Sequence, residues 1–239
     1  MNARAVWIES PVPYGLMSRV QDELLEARIG NAIPDTVLFL EHTPVVTLGR
    51  RGRDACLKLD AEEYAARGME LHQASRGGDV TYHGPGQLVM YPIIRLGENE
   101  SDAHGYLFNL EEIAIRTAAE FGVEAYRRKG KSGAWTDAGK LAAIGFHLKR
   151  WVTSHGMSFN VNLPLSGFDT IVPCGLTEPV TSLKQLLAEK CPSVRDVREV
   201  MTRFFSLVCG RPLAVQTLDL STAPGTATLS ATLQRMLRG

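Results

Sequence analysis

RGGDVTYHGPGQLVMY, residues 76–91, sets four glycines and one proline among one arginine, one aspartate, one histidine and two tyrosines. It runs straight into the apolar stretch Leu88 to Ile94. An apolar run this short, bounded by turn residues, reads as a buried strand. Backbone without side chains in front of it lets a narrow ligand come close, because N–H groups can then reach a carbonyl oxygen. Taken singly, each glycine reads as a turn. Together, Gly77, Gly78, Gly84 and Gly86 flank Asp79 to His83 on both sides and read as a slot. His83 in isolation reads as a satisfied surface or core group.

The neighbouring segments supply a frame. Leu16, Val20, Leu24 and Ala27 recur at helical spacing before Gly30, which predicts a helix and its stop. TVLFL (36–40) and PVVTLG (44–49) read as strands joined by EHT. Asp60 reads as the N-cap of AEEYAARG, with Gly68 ending that helix. LFNLEEIAIRTAAEFG (107–122) is a second amphipathic helix, and helical patterns return at 181–189 and 193–209. GAWT, Asp137-Ala138-Gly139 and KLAAIGFHL read as a hairpin. Its second strand is lined with small residues, which permits close approach of another backbone or a ligand. MSFNVNL (157–163) is one more strand. Helices and strands alternate without a regular βαβ rhythm. This predicts an α/β (α+β) layer fold, a mixed sheet with flanking helices, rather than a doubly wound sheet.

The 239 residues, 44% hydrophobic, suit one domain with ample core. Composition shifts to Thr, Ala, Ser and Pro after about residue 217, so residues 1–216 are expected to form that domain. Residues 217–239 are expected to form a loosely ordered tail with a short helix at 229–238. A formal net charge of zero does not favour a generic nucleic-acid binder. No stretch is long and apolar enough to span a membrane, and the start of the chain lacks a signal-peptide run. Cys56, Cys174, Cys191 and Cys209 are widely spread with no C-x-x-C pair, which argues against a zinc site and a dense disulfide framework. The expectation is a soluble protein of a reducing, cytoplasmic compartment.

Two phosphate motifs fail. GKS at 130–132 would need glycine at 125, where Ala125 stands, and Gly84 and Gly86 are followed by Val89 rather than the third glycine of a dinucleotide loop. Cys174 can be read as a buried small hydrophobe, but Pro173 and Gly175 place it on a turn that would expose and hold a thiol, as a nucleophile requires. A lysine such as Lys140 at the head of an apolar strand ordinarily snorkels to solvent. His147 and His155 read as structural. Arg50, Arg51 and Arg53, and separately Arg127, Arg128, Lys129 and Lys131, form basic clusters that read either as solvated faces or as a docking rim.

RGGDVTYHGPGQLVMYP, KLAAIGFHLKRWVTSHGMSFNV and VPCGL resemble the three blocks of the octanoyltransferase family, the lipoyl(octanoyl) transferases of protein lipoylation. EHTPVVTLGRRG (41–52) matches the block before them, and the likeness spans about residues 14–210. It implies the fold of biotin and lipoate protein ligases, also called class II aaRS/biotin synthetase-like. It implies a catalytic domain that moves an octanoyl group from octanoyl-acyl carrier protein to an enzyme cysteine, then to a lysine amine of an apo lipoyl domain. Such domains belong to the E2 subunits of 2-oxoacid dehydrogenases and to the glycine cleavage H protein.

By motif position Cys174 carries the acyl thioester and Lys140 modulates it. The acyl-binding segments are Arg76, Gly77, Gly78, Asp79, Val80, Thr81, Tyr82 and His83; Ala143, Ile144 and Gly145; and Gly156, Met157 and Ser158. No cofactor, metal, ATP, nucleic acid or membrane is expected, and a monomer is expected. Burying an eight-carbon chain at about 0.8 kcal/mol per methylene would gain roughly 5 kcal/mol. Two rivals remain at this level. A ligase on the same fold would need ATP and magnesium, although Gly77-Gly78 is followed by Asp79 and not by a third glycine. A silent acyl-binding protein would keep Cys174 buried.

Overall fold

The computed structural model describes residues 3–100, 102–172 and 179–219, together with Thr232, Leu233 and Arg235. Cys174 and most of the segment 217–239 therefore lie outside the described residues. Among the described residues eleven strands fall into two sheets: β1 (Ala3–Ile8), β2 (Thr36–Leu40), β3 (Val45–Leu48), β4 (Glu70–Gln73), β5 (Val80–His83), β6 (Gln87–Ile93), β7 (Tyr126–Arg128), β8 (Lys131–Thr136), β9 (Gly139–Lys149), β10 (Val152–Asn160) and β11 (Leu213–Leu218). The large sheet has the order β11-β1-β2-β6-β10-β9-β8-β7, and the small one β4-β3-β5. Parallel pairing at β1–β2 and β1–β11 beside antiparallel pairing elsewhere makes the large sheet mixed, as expected. The helices are α1 (Tyr14–Ile29), α2 (Ala61–Ala66), α3 (Ala103–Glu120), α4 (Leu183–Leu187) and α5 (Val194–Val208).

Strand alternation divides the core. Val37 and Phe39 of β2 and Leu88 and Met90 of β6 pack with Leu110 and Ile113 of α3 and Met201 and Phe205 of α5. The intervening Leu38, Leu40, Val89, Tyr91 and Ile93 pack with Met17, Val20 and Leu24 of α1. Both faces of β2 and β6 are thus covered, which is why TVLFL and LVMYPI read as unbroken apolar runs. The peptide EHT does not close a hairpin. It carries the chain from the large sheet into the small one, with His42 buried at the crossing. Asp60 caps α2 in a full capping box with Glu63. Helix α3 starts before residue 107 because Asp102 accepts from the amides of His104 and Gly105.

A proline in a central strand removes a ladder hydrogen bond, and Pro92 does so in β6 opposite Val37 of β2. Across the other edge, β10 bends: His155 takes a φ of +54°, in the left-handed region. Side chains replace the lost ladder. The amide of His155 donates to Gln21 Oε1 at 2.8 Å, and Thr153 Oγ1 donates to Pro92 O at 2.6 Å. At Gly156 a Cβ would lie 2.4 Å from Met90 O, so only glycine fits beside this bend.

Of the segment 217–239, Thr217 and Leu218 close β11, and Leu233 is fully buried among the α1-side core residues. No helix among the described residues is long and apolar enough to cross a membrane. Cys191 and Cys209 are free and half-buried, and Cys56 is fully buried.

Candidate active site

A cavity of about 670 Å³ opens between the two sheets. Residues 76–83 run along one wall, and β9 and β10 form the other. Arg76, Gly78, Asp79, Val80, Thr81 and His83 line it, as do Ala143, Ile144, Gly145, Gly156, Met157 and Ser158. Gly77 and Tyr82 were expected with them but are not among its lining residues. Gly77 donates its amide to Phe146 O at 2.9 Å, and its own carbonyl would lie 2.6 Å from a Cβ on Gly145. The two glycines therefore weld the loop to β9. Tyr82 follows strand alternation and packs edge-on against Phe168. Gly86 serves the turn as well: its carbonyl accepts from the amides of Val161, Asn162 and Leu163. Of the four glycines, Gly78 is the one on the cavity wall.

Lys140 begins the β9 wall, with its ammonium 4.6 Å from the centre of the Trp135 ring. Trp135 is buried, lines the cavity, and also carries Arg128 at 4.9 Å and Lys131 at 5.9 Å from its ring centre. The aromatic face attracts these cations and restricts the lysine far more than solvent would. Residues 179–181 lie against the head of β9: Lys140 donates its amide to Pro179 O at 2.9 Å and accepts from Thr181 N at 3.0 Å. Gly139, at φ +135°, permits this, since a Cβ there would be 2.3 Å from Pro179 O.

A hydrogen-bond chain crosses the site. His83 Nδ1 lies 2.6 Å from Gln87 Oε1; Gln87 Nε2 donates to Asn160 Oδ1 at 2.9 Å; Asn160 Nδ2 donates to Thr181 O at 2.9 Å. The Gln87 oxygen accepts, so the proton of His83 sits on Nδ1, and Nε2 keeps a lone pair. Burial, first, and then the neighbouring His42 push the His83 pKa down to about 3, so the ring is neutral. His83 therefore accepts hydrogen bonds and is a poor proton carrier near neutral pH. Arg76 is buried, its guanidinium donating to Thr47 O and Thr47 Oγ1 at 2.8 Å and to Gly77 O at 3.1 Å. Burial lowers its pKa.

The basic clusters separate. Arg51, Arg53 and Lys131 line the cavity. Arg127 does not: it donates to Glu112 Oε2 at 2.7 Å, lies 3.2 Å from Glu111 and stacks over Phe108. Trp135, Asn160, Tyr91 and His155 line the cavity without having been singled out as site residues. For His155, read as structural, the signal in the sequence was Pro92, which lies in β6 beside the bend in β10. Cys174 lies outside the described residues, but the chain on either side of its segment does not: Ile171 and Val180 both line the cavity, and Val172 donates its amide to Cys56 O at 2.8 Å. Among the described residues no cluster of three or more His, Cys, Asp or Glu could hold a metal ion.

Residues 14–206 match the family described as the lipoyl protein ligase A/B catalytic domain. An octanoyltransferase of Geobacter metallireducens is 47% identical over 186 residues, covering 77% of this chain and 84% of its own. One from Pelobacter propionicus is 46% identical over 193 residues, with 80% and 87% covered. Among solved structures, lipoate-protein ligase A bound with ATP superposes with a TM-score of 0.74 at 16% identity, covering 98% of this chain and 95% of that one. The biotin protein ligase of Aquifex aeolicus in complex with biotin and ATP gives 0.53 at 12% identity, with 87% and 70% covered. The two structural likenesses show the expected ligase-like fold.

Proposed function

The chain belongs to the lipoyl protein ligase A/B catalytic domain family and is an octanoyltransferase, an acyltransferase of protein lipoylation, and from that membership we propose that it takes the octanoyl group from acyl carrier protein and passes it, through a thioester on Cys174, to a lysine of an apo lipoyl domain. The observation that carries this reading is the placement of Lys140. Its ammonium lies on the Trp135 face at a cavity whose wall includes Ile171 and Val180, and Val180 pairs with Lys140 itself. Position 174 is three residues from Ile171, so chain connectivity keeps its Cα within about 11 Å of that cavity residue.

In the first step the Cys174 thiolate adds to the donor's thioester carbon. The carbon–sulfur bond to the phosphopantetheine breaks, and the departing thiolate takes a proton. In the second, the acceptor amine adds to the enzyme thioester, loses its proton, and expels the Cys174 thiolate as the amide forms. Thioester exchange is nearly balanced and amide formation runs downhill, so no nucleotide is consumed. Lys140 favours the thiolate and receives and returns the proton. The acceptors are the lipoyl domains of 2-oxoacid dehydrogenase E2 subunits and the glycine cleavage H protein, in the cytoplasm, with the enzyme as a monomer.

The test is intact mass of the fully reduced protein after mixing with octanoyl-acyl carrier protein, without nucleotide. Wild type should gain one octanoyl group and lose it to added apo lipoyl domain. Cys174→Ala should fold and gain none. Acyl mass on Cys56, Cys191 or Cys209, or a requirement for ATP, would overturn the assignment.

A further inference from the structure

Resting on that reading, we propose that the inner end of the cavity is a polar stop: Arg76, Tyr91 and His155 hold bound water there, and this water limits the length of acyl chain the enzyme accepts. This end of the cavity carries buried polar atoms that lack partners. Arg76 Nε and His155 Nδ1 are buried and have no hydrogen-bond partner among the described residues, and both residues line the cavity. Gln21 Nε2, beside the His155 amide that its own oxygen binds, is a third such atom, and Tyr14 Oη, whose ring stacks on His83 at 6.2 Å, a fourth. A buried donor left unmatched is costly, and four in one cluster call for a shared partner. Small polar sites of this kind hold water with two to four protein contacts.

The neighbouring groups do not satisfy them. His42 Nδ1 lies 2.8 Å from Val12 O and donates to it, so its Nε2 accepts from the Tyr91 hydroxyl at 2.8 Å. Tyr91, which lines the cavity, thus faces it with oxygen lone pairs and no proton to give. His155 Nε2 is taken up by Ser75 Oγ at 2.9 Å. Water bridging Tyr91 Oη, Arg76 Nε and His155 Nδ1 supplies the partner that the last two lack.

The geometry sets the scale. From Lys140 to Gly145 along β9, and from Asn160 to His155 along β10, the wall advances five residues, or about 16 Å. An eight-carbon chain with bonds near 1.5 Å extends about 9 Å. With its thioester at the Lys140 end, its methyl stops short of the floor by roughly 7 Å, about the depth of the water and of the side chains holding it. Two more carbons would have to drive that water off a guanidinium. In an apolar extension each added methylene would instead tighten binding about fourfold.

The experiment compares transfer from hexanoyl, octanoyl, decanoyl and dodecanoyl carrier protein by wild type, Arg76→Met and Tyr91→Phe. Wild type should favour octanoyl over decanoyl by tenfold or more in kcat/KM. Each variant should raise the decanoyl-to-octanoyl ratio by about tenfold or more. Thermal stabilisation by free octanoic and decanoic acids should show the same reversal without turnover. Should Arg76→Met fail to fold, Tyr91→Phe, which removes one hydroxyl, still decides the matter. Folded variants with the wild-type ratio, or a wild type indifferent between octanoyl and dodecanoyl, would overturn the polar stop while leaving the transferase reading intact. A wild type that transfers no chain from any donor would instead sink the transferase reading.

Discussion

Acid should loosen this protein well before its carboxylates protonate. His42, His83 and His155 are buried side by side, and burial holds their pKa values down to about 4, 3 and 3. An unfolded histidine titrates near 6.5. Between 6.5 and about 4 the unfolded chain therefore binds protons that the folded chain refuses. Stability is fully present above 6.5 and is lost as pH falls. One unit below 6.5, each ring costs about 1.2 kcal/mol relative to pH 7, so the three together cost roughly 4 kcal/mol. For a chain of this size that lowers Tm by about 8–15 °C. Calorimetry at about pH 7 and about pH 5.5 in matched ionic strength reads it directly, since ordinary carboxylates stay ionised across that interval. His83→Asn should remove about a third of the slope. A Tm that moves by less than about 3 °C, in wild type, would refute the neutral-cluster argument.

Three further outcomes follow from the site. Lys140→Arg keeps the charge beside Trp135 but cannot shed a proton, so both half-reactions should slow by roughly 100-fold or more; a rate within about threefold of wild type would reduce Lys140 to an electrostatic role. Arg51→Glu with Arg53→Glu should raise KM for the acidic carrier protein and flatten its salt dependence, whereas Arg127→Glu, which breaks contacts to Glu111 and Glu112, should chiefly lower Tm. Gly156→Ala forces a methyl against Met90 O at the bend in β10, and should destabilise the fold by about 2 kcal/mol or more in denaturant melts.

What could be read from the chain followed its periodicities. TVLFL and residues 87–94 announce central strands because both faces are covered, and Asp60 announces its helix because the capping box is local. Strands β4 and β7 stayed hidden: ELHQ and YRR are edge strands, paired on one side only, and carry no apolar alternation. β1 was also missed, since its pairing on one side depends on β11, more than two hundred residues away. The site motifs marked the cavity well, yet motif membership could not say which residues face it. Gly77 and Tyr82 sit inside the motif and serve packing, because alternation along β5 and the approach to Gly145 are tertiary facts. Conversely, Trp135 reads as one aromatic in a strand until the sheet brings Arg128, Lys131 and Lys140 onto its face. Likewise, the Arg127–Lys131 run looks uniform in sequence, and only the fold sends Arg127 to Glu111 and Glu112 and leaves Lys131 at the cavity.

The place of β1 between β2 and β11 also bears on how the chain is made. Register Ala3↔Leu213 to Ile8↔Leu218 joins segments that are synthesised far apart in time. At about 5–20 residues per second, some 10–40 s separate them. Throughout that interval β1 can dock on β2 but shows an unpaired, largely apolar outer edge, a template for strand addition by another nascent chain. The large sheet is therefore completed only once residues 213–218 have been made, and a chain arrested before residue 213 keeps that sticky edge for as long as it lasts.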